Sequence, residues 1–335
     1  MALLEIVRYL NARQRLRQST GFEDGDALEI TSGRIEARFL ELRLHTVFQP
    51  IVDLTRGQVV AHEALLRAKT TRGLAVSPED VFARPRSSEE LVYLDRLSRT
   101  LHALNFVTQP SAEPASLYLN VDPRHLLAAI DHGLVFESIL RHTGLAPEQV
   151  VLEVLESAIE DSSALTAAIH NFRGRGFRVA VDDFGRGHAN FDRLWQLEPD
   201  VVKLDRHLLL TADRDRKVRA VLPKLVDVAK AHGALVLFEG VETEEHLEIV
   251  LESGAELAQG YLLGRPERVR GFGEAAWPSL QSERPSGTMP TSGPSSSSRP
   301  KAGWRVATAA ETAESELHDA LPGTELDQAI QGGRK

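Results

Sequence analysis

Between residues 41 and 272, eight short apolar runs rich in β-branched residues follow one another, most of them separated by a stretch with helical spacing. The runs cover 45–53, 58–65, 116–121, 149–154, 177–183, 200–205, 234–239 and 255–261. Strand–helix alternation predicts a mainly parallel sheet with helices outside it. Eight such units in a chain of this length predict an α/β fold closed as a TIM-like (β/α)8 barrel. The first two runs are joined only by LTRG at 54–57, too short for a helical crossover. They are therefore expected to form a hairpin, with one strand antiparallel to the rest. Within 87–104, Leu91, Leu94, Leu97, Leu101 and Leu104 recur at three- and four-residue steps, and Ser87 with Glu90 reads as a capping box. A second helix is expected over 216–233, ending at Gly233.

The flanks differ from this central segment. Residues 1–40 carry LEIVRYL and RIEARFLEL and are expected to form an N-terminal helical lead-in. Residues 273–335 include a Pro/Ser/Gly tract too poor in apolar surface to order itself, so a largely disordered C-terminal tail without catalytic residues is expected. The chain has no Cys, which excludes disulfides, Cys-based zinc sites and a thiol nucleophile, and fits a reducing compartment. No apolar run approaches the ~20 residues that span a bilayer, so no membrane partner and a cytoplasmic location are expected. The net charge of −9 argues against long nucleic acid as a partner. It leaves room for a small anion held by metal ions and a few local cations.

Polar residues end these apolar runs repeatedly: Glu63, Asn120, Glu153, the pair Asp182–Asp183, Lys203, Glu239 and Gln259. In a parallel barrel the C-terminal strand ends converge on one face. Any one of these side chains reads equally well as a buried polar group or a helix cap. Seven consecutive strands delivering such groups to one rim call for a site. Clustered carboxylates take up protons unless cations hold them ionised. Oxygen donors without His or Cys favour hard ions, Mg²⁺ or Mn²⁺. Two such ions activate water for in-line displacement at phosphorus, so cleavage of a phosphodiester is expected. Adjacent strand residues point to opposite faces, so Asp182–Asp183 serves this role only with local twisting.

The segments FQPIVDL (48–54), EALLR (63–67), LNVDP (119–123), LEVLES (152–157), VDDFGRG (181–187), VKLDR (202–206), FEGVET (238–243) and QGYLLGRP (259–266) resemble, in order, the EAL domain family of cyclic-di-GMP-specific phosphodiesterases. The resemblance implies hydrolysis of cyclic di-GMP to linear pGpG with Mg²⁺ or Mn²⁺, two ions being expected. It implies metal ligation by Glu63, Asn120, Glu153 and Asp182, with Asp183 serving a second ion. Lys203 would hold the attacking water or neutralise phosphate charge, and Glu239 would act as general base or orient that water. Arg67, Gln49, Asp95 and Gln259 would contact the ligand or support the site, as would Glu242. Phe238 would lie against a base or in the core.

The segment DDFGRGHANF departs from the family's usual DDFGTGYSSL at Arg186, His188, Ala189 and Asn190. This loop, which Glu156 commonly anchors, couples the family's site to dimerisation. Reduced or partner-dependent activity, and a homodimer, are what the resemblance then implies. A receptor that binds the dinucleotide without cleaving it is the alternative. GRGHAN has too few glycines and the wrong preceding strand for a dinucleotide-cofactor fold.

Overall fold

The structure is a computed structural model describing residues 3–17, 27–109, 115–121, 132–155, 163–185 and 197–269. The chain divides into two compact units, Met1–Ser297 and Ser298–Lys335, and every described residue belongs to the first. Glu156, the segment from Arg186 to Asn190 and the tail 273–335 lie outside the described residues.

The eight expected strands are all present: β3 (Leu42–Asp53), β4 (Gln58–Thr70), β6 (Ser116–Asn120), β7 (Val150–Leu155), β8 (Arg178–Phe184), β9 (Val201–Leu204), β10 (Leu235–Phe238) and β11 (Leu257–Ala258). They close a ring in the order β3-β4-β6-β7-β8-β9-β10-β11, with β11 returning to β3. β3 is antiparallel to both its ring neighbours, and the remaining neighbours are parallel. The hairpin expected from the short LTRG link therefore supplies the one reversed strand.

Helices α3 (Ser88–Val107), α4 (His132–Thr143), α5 (Ser163–Gly174), α6 (Arg206–Arg214), α7 (Arg216–Ala231) and α8 (Glu244–Ser253) lie between the strands in sequence. α3 starts where its cap was expected, the Ser87 hydroxyl accepting from the Glu90 amide at 3.2 Å. α7 ends in the same way near Gly233, whose φ of +80° suits a residue without Cβ.

Strand alternation divides the barrel residues cleanly. Val150, Leu152, Val154, Val179, Val181, Val202, Leu204, Val236 and Phe238 are buried and belong to the main core cluster. Tyr118, Val151, Ala180, Val201 and Leu237 are equally buried but lie outside that cluster. These are the residues of opposite parity, which face the barrel interior. Asn120, Glu153, Asp182, Lys203 and Glu239 share this interior parity.

The N-terminal flank departs from the helical expectation. Helix α1 (Leu3–Arg17) is present, but 28–39 forms an antiparallel hairpin, β1 (Leu28–Thr31) and β2 (Arg34–Phe39), that adds to β3. Ile35, Ala37 and Phe39 are buried at every second position of β2. So short an apolar pattern fits period two as well as period 3.6, and β3 decides by offering its open edge. Two side chains then replace missing strand partners. Asn105 of α3 accepts from Ile35 N at 3.1 Å and donates to Ile35 O at 2.8 Å. Asn11 of α1 brackets Leu28 in the same way, at 3.0 and 2.9 Å. Asn105→Ala leaves a buried donor and acceptor unpaired, so a loss of about 1–3 kcal/mol is expected in urea unfolding. An unchanged midpoint and slope would show that water replaces the amide.

Candidate functional site

The centre of the site is Lys203 on β9, only 1% exposed. Its ammonium lies 2.6 Å from Glu153 Oε1 on β7, 2.7 Å from Glu239 Oε1, 3.0 Å from Asp182 Oδ1 on β8 and 3.9 Å from Glu63 Oε1 on β4. Four carboxylates from four places in the sequence thus meet one cation at one end of the barrel. Burial alone would lower the ammonium's pKa, but Asp182, Glu153, Glu239 and Glu63 outweigh it and hold Lys203 charged. Glu153 is pushed well above the usual carboxylate range, first by burial and then by Glu63. Burial likewise raises Glu239 to about 7, Lys203 opposing and Asp182 and Glu63 adding to the shift.

Neutral amides orient the carboxylates. Asn120 Nδ2 donates to Glu63 Oε1 at 2.8 Å, and Gln259 Nε2 donates to Glu63 Oε2 at 2.7 Å. Gly260 holds the Gln259 backbone against β10's continuation, since a Cβ there would overlap the main chain of Val241. Gln49, opposite Glu63 in register, donates to Gly264 O at 3.3 Å.

Asp182 and Asp183 reach the same place because β8 breaks register with β9 between Val181 and Phe184. Asp183 sits at φ +59°, a left-handed conformation that Asp tolerates better than most residues. Its amide donates to Asp182 Oδ1 at 2.9 Å. Oxygens of Asp182, Asp183 and Glu239 come within 4.8 Å of one another. The local twisting that the adjacent pair demands is therefore a strand irregularity, with both residues still inside β8.

The donor set suits a divalent hard cation. Among these residues Glu153 Oε2 is buried without a hydrogen-bond partner, so an acceptor lone pair stands unused beside Asp182 and Glu63. All ligands on offer are carboxylate or amide oxygens, as Mg²⁺ or Mn²⁺ prefers.

A cleft of about 310 Å³ opens over this cluster, lined by Gln49, Glu63, Asp182, Lys203, Glu239 and Gln259 among others. Glu242 also lines it and accepts from Arg206 at 2.6 Å. Arg67 lies on the same strand face as Glu63, four residues on, and donates to the neighbouring Leu66 carbonyl at 2.9 Å. Two expected ligand contacts stand elsewhere. Asp95 is 2% exposed on α3 and ion-paired with Arg99, whose guanidinium lies 4.7 Å from the Phe136 ring centroid. Phe238 is fully buried in the core, because its parity is opposite to that of Glu239.

Sequence reasoning missed three residues. Arg206 follows the N-cap Asp205 and reaches the cleft beside Glu242. Tyr261 lines the cleft with the Arg265 guanidinium 4.4 Å from its ring centroid. Tyr118, whose hydroxyl is buried without a hydrogen-bond partner, lies two residues before Asn120 on the interior face. Period-two counting back from Asn120 could have found Tyr118, and the VKLDR run contains Arg206.

The model of the EAL domain family matches residues 34–266. RocR of Pseudomonas aeruginosa, a cyclic di-GMP phosphodiesterase, is 29% identical over 270 residues, covering 78% of this chain and 66% of the relative. PdeA of Escherichia coli, named a probable cyclic di-GMP phosphodiesterase, is 33% identical over 153 residues, 44% of this chain and 20% of the relative. The chain thus spans only part of the length of these curated relatives. The manganese and cyclic-di-GMP complex of Klebsiella pneumoniae BlrP1 superposes with a TM-score of 0.63 at 26% identity, covering 73% of this chain and 60% of that one. No described helix is long and apolar enough to cross a membrane. With its family model matched across the barrel from β2 to the segment after β11, this chain belongs to the EAL domain family.

Proposed function

We propose that this chain hydrolyses cyclic di-GMP to linear pGpG. The observation that carries the reading is the charge imbalance at the barrel mouth: one buried ammonium faces four carboxylates within 4 Å, with Asp183 adjoining them. Like charges so close are stable together only if cations or protons compensate them. Glu63, Asn120, Glu153 and Asp182 would hold one divalent ion and Asp183 would serve a second. When bound, such ions supply Lewis acidity at a phosphoryl oxygen and lower the pKa of a coordinated water.

The remaining roles belong to this chain's own side chains. Glu239, partly exposed at the cleft and in contact with Lys203, accepts the proton of the attacking water. Lys203 keeps the carboxylates together and offsets charge that develops on the phosphate. Arg67 and Gln49 bind the dinucleotide, and Gln259 orients Glu63. Glu242 fixes Arg206 at the rim. Asp95 and Phe238 are assigned to packing. The relatives' printed activities and the bound ligand of the BlrP1 complex support the same substrate.

The test is incubation of the purified chain with cyclic di-GMP, with and without Mn²⁺ or Mg²⁺, and separation of products by chromatography. Metal-dependent pGpG is expected, abolished by EDTA. Tight binding of cyclic di-GMP with no product at any metal concentration would overturn hydrolysis in favour of a receptor.

A further inference from the structure

We propose that the outward face of the β3–β4 ribbon is a cationic track that continues the cleft and binds the phosphate backbone of a short single-stranded oligonucleotide. β4 pairs with β6 only over Ala61–Ala64, then runs on to Thr70 with β3 as its partner. At about 3.3 Å per residue, the six steps from Glu63 to Lys69 carry this ribbon roughly 20 Å beyond the carboxylate cluster. Leu42, Leu44, Leu66 and Ala68 are buried on one face, in the second core cluster. The opposite face carries Arg43 and His45 on β3, and Arg67 and Lys69 on β4. It is the face on which Gln49 and Glu63 stand at the cleft.

The register sets cation against cation. Arg43 is opposite Lys69 and His45 is opposite Arg67, while Arg38 of β2 is opposite Arg43 on its other side. Like charges directly across a ladder destabilise it unless something neutralises them. The chain carries 48 acidic against 39 basic residues, so carboxylates are not scarce. Yet the carboxylates paired here engage the margins: Glu29 meets Arg38 at 2.7 Å and Glu36 meets Arg268 at 3.4 Å. Arg268 itself is held over the ribbon by the backbone bridge between Phe48 and Glu267, at 2.6 and 2.9 Å. The local field has an independent witness in His45, whose pKa falls to about 4 through burial and then through Arg268, Lys69 and Arg67.

An anion whose charges are spaced along a line fits this geometry, and the line leads into a cleft read above as a phosphodiester site; the proposal rests on that reading. These ribbon positions present no Phe, Tyr or Trp, so recognition runs through phosphate rather than stacked bases. It is then salt-dependent and tolerant of sequence.

The experiment measures anisotropy of fluorescein-labelled single-stranded RNA, four to six nucleotides long, against the full chain in EDTA at several salt concentrations. The charge-reversed double variant Arg43→Glu, Lys69→Glu and the neutral pair Arg43→Gln, Lys69→Gln are compared with the parent. Loss of affinity of about ten-fold or more is expected, with the log–log salt slope shallower by about two, one for each lost phosphate contact. Cyclic-di-GMP hydrolysis by the same variants is expected to stay within about two-fold of the parent. Unchanged RNA affinity and slope overturn the track. So does a labelled oligoglutamate that binds more tightly than RNA, which would make the face a site for an acidic protein. If the parent forms no pGpG but RNA binding follows the charges, the hydrolytic reading fails and the track stands.

Discussion

Lys203→Met is expected to destabilise the chain by about 3–5 kcal/mol in metal-free buffer, the cost of removing one partner from a buried charge network. The variant side chain fills similar space, so the loss reports charge: Glu63, Glu153, Asp182 and Glu239 lose the ammonium that now touches all four. The loss has a pH signature. Glu239, raised to about 7 with Lys203 present, rises further without it. A carboxyl whose folded pKa lies above its unfolded value near 4.5 binds more protons when folded. Its contribution to stability is complete below the unfolded value and drains away as pH rises through the folded one. The deficit of Lys203→Met is therefore smaller near pH 5 than near pH 8. Added Mn²⁺ should recover much of it, since a divalent ion can take over the compensation. Urea unfolding at the two pH values, with and without metal, measures all three effects. Equal stability of variant and parent at pH 8 without metal would remove the central role given to Lys203.

Glu239→Gln is expected to lower kcat for cyclic di-GMP by about 10²–10⁴, the usual range for loss of a positioned base. The amide oxygen can still accept from Lys203 Nζ, which Glu239 Oε1 contacts at 2.7 Å, so fold and dinucleotide affinity should persist. The effect thus belongs in kcat, with KM changed only a few-fold. Steady-state turnover together with equilibrium binding separates the two parameters. A variant that turns over within ten-fold of the parent would move the base to another residue.

Much of this site is legible along the chain, for a local reason. Alternation places Asn120, Glu153, Asp182, Lys203 and Glu239 on one face of their strands, and the same counting puts Phe238 on the other face, in the core. Asp95 was not legible in this way. Its helix carries Arg99 one turn later, and that pair closes on itself in the interior. The hairpin at 28–39 was missed because seven or eight residues hold too few repeats to tell period two from 3.6, and the β3 edge that selects a strand lies outside the segment.

The amino-acid sequence by itself determined the eight strands, the reversal forced by LTRG, and which residue types end each strand. Period and loop length are properties of neighbouring residues, so they need no fold to be read. Only the tertiary structure decided that Lys203 would stand among four carboxylates, that a break in β8 would turn both aspartates inward, and that cations on β2, β3 and β4 would face one another. Those are distances between residues far apart in the chain, and they exist only once the ring has closed in a particular register.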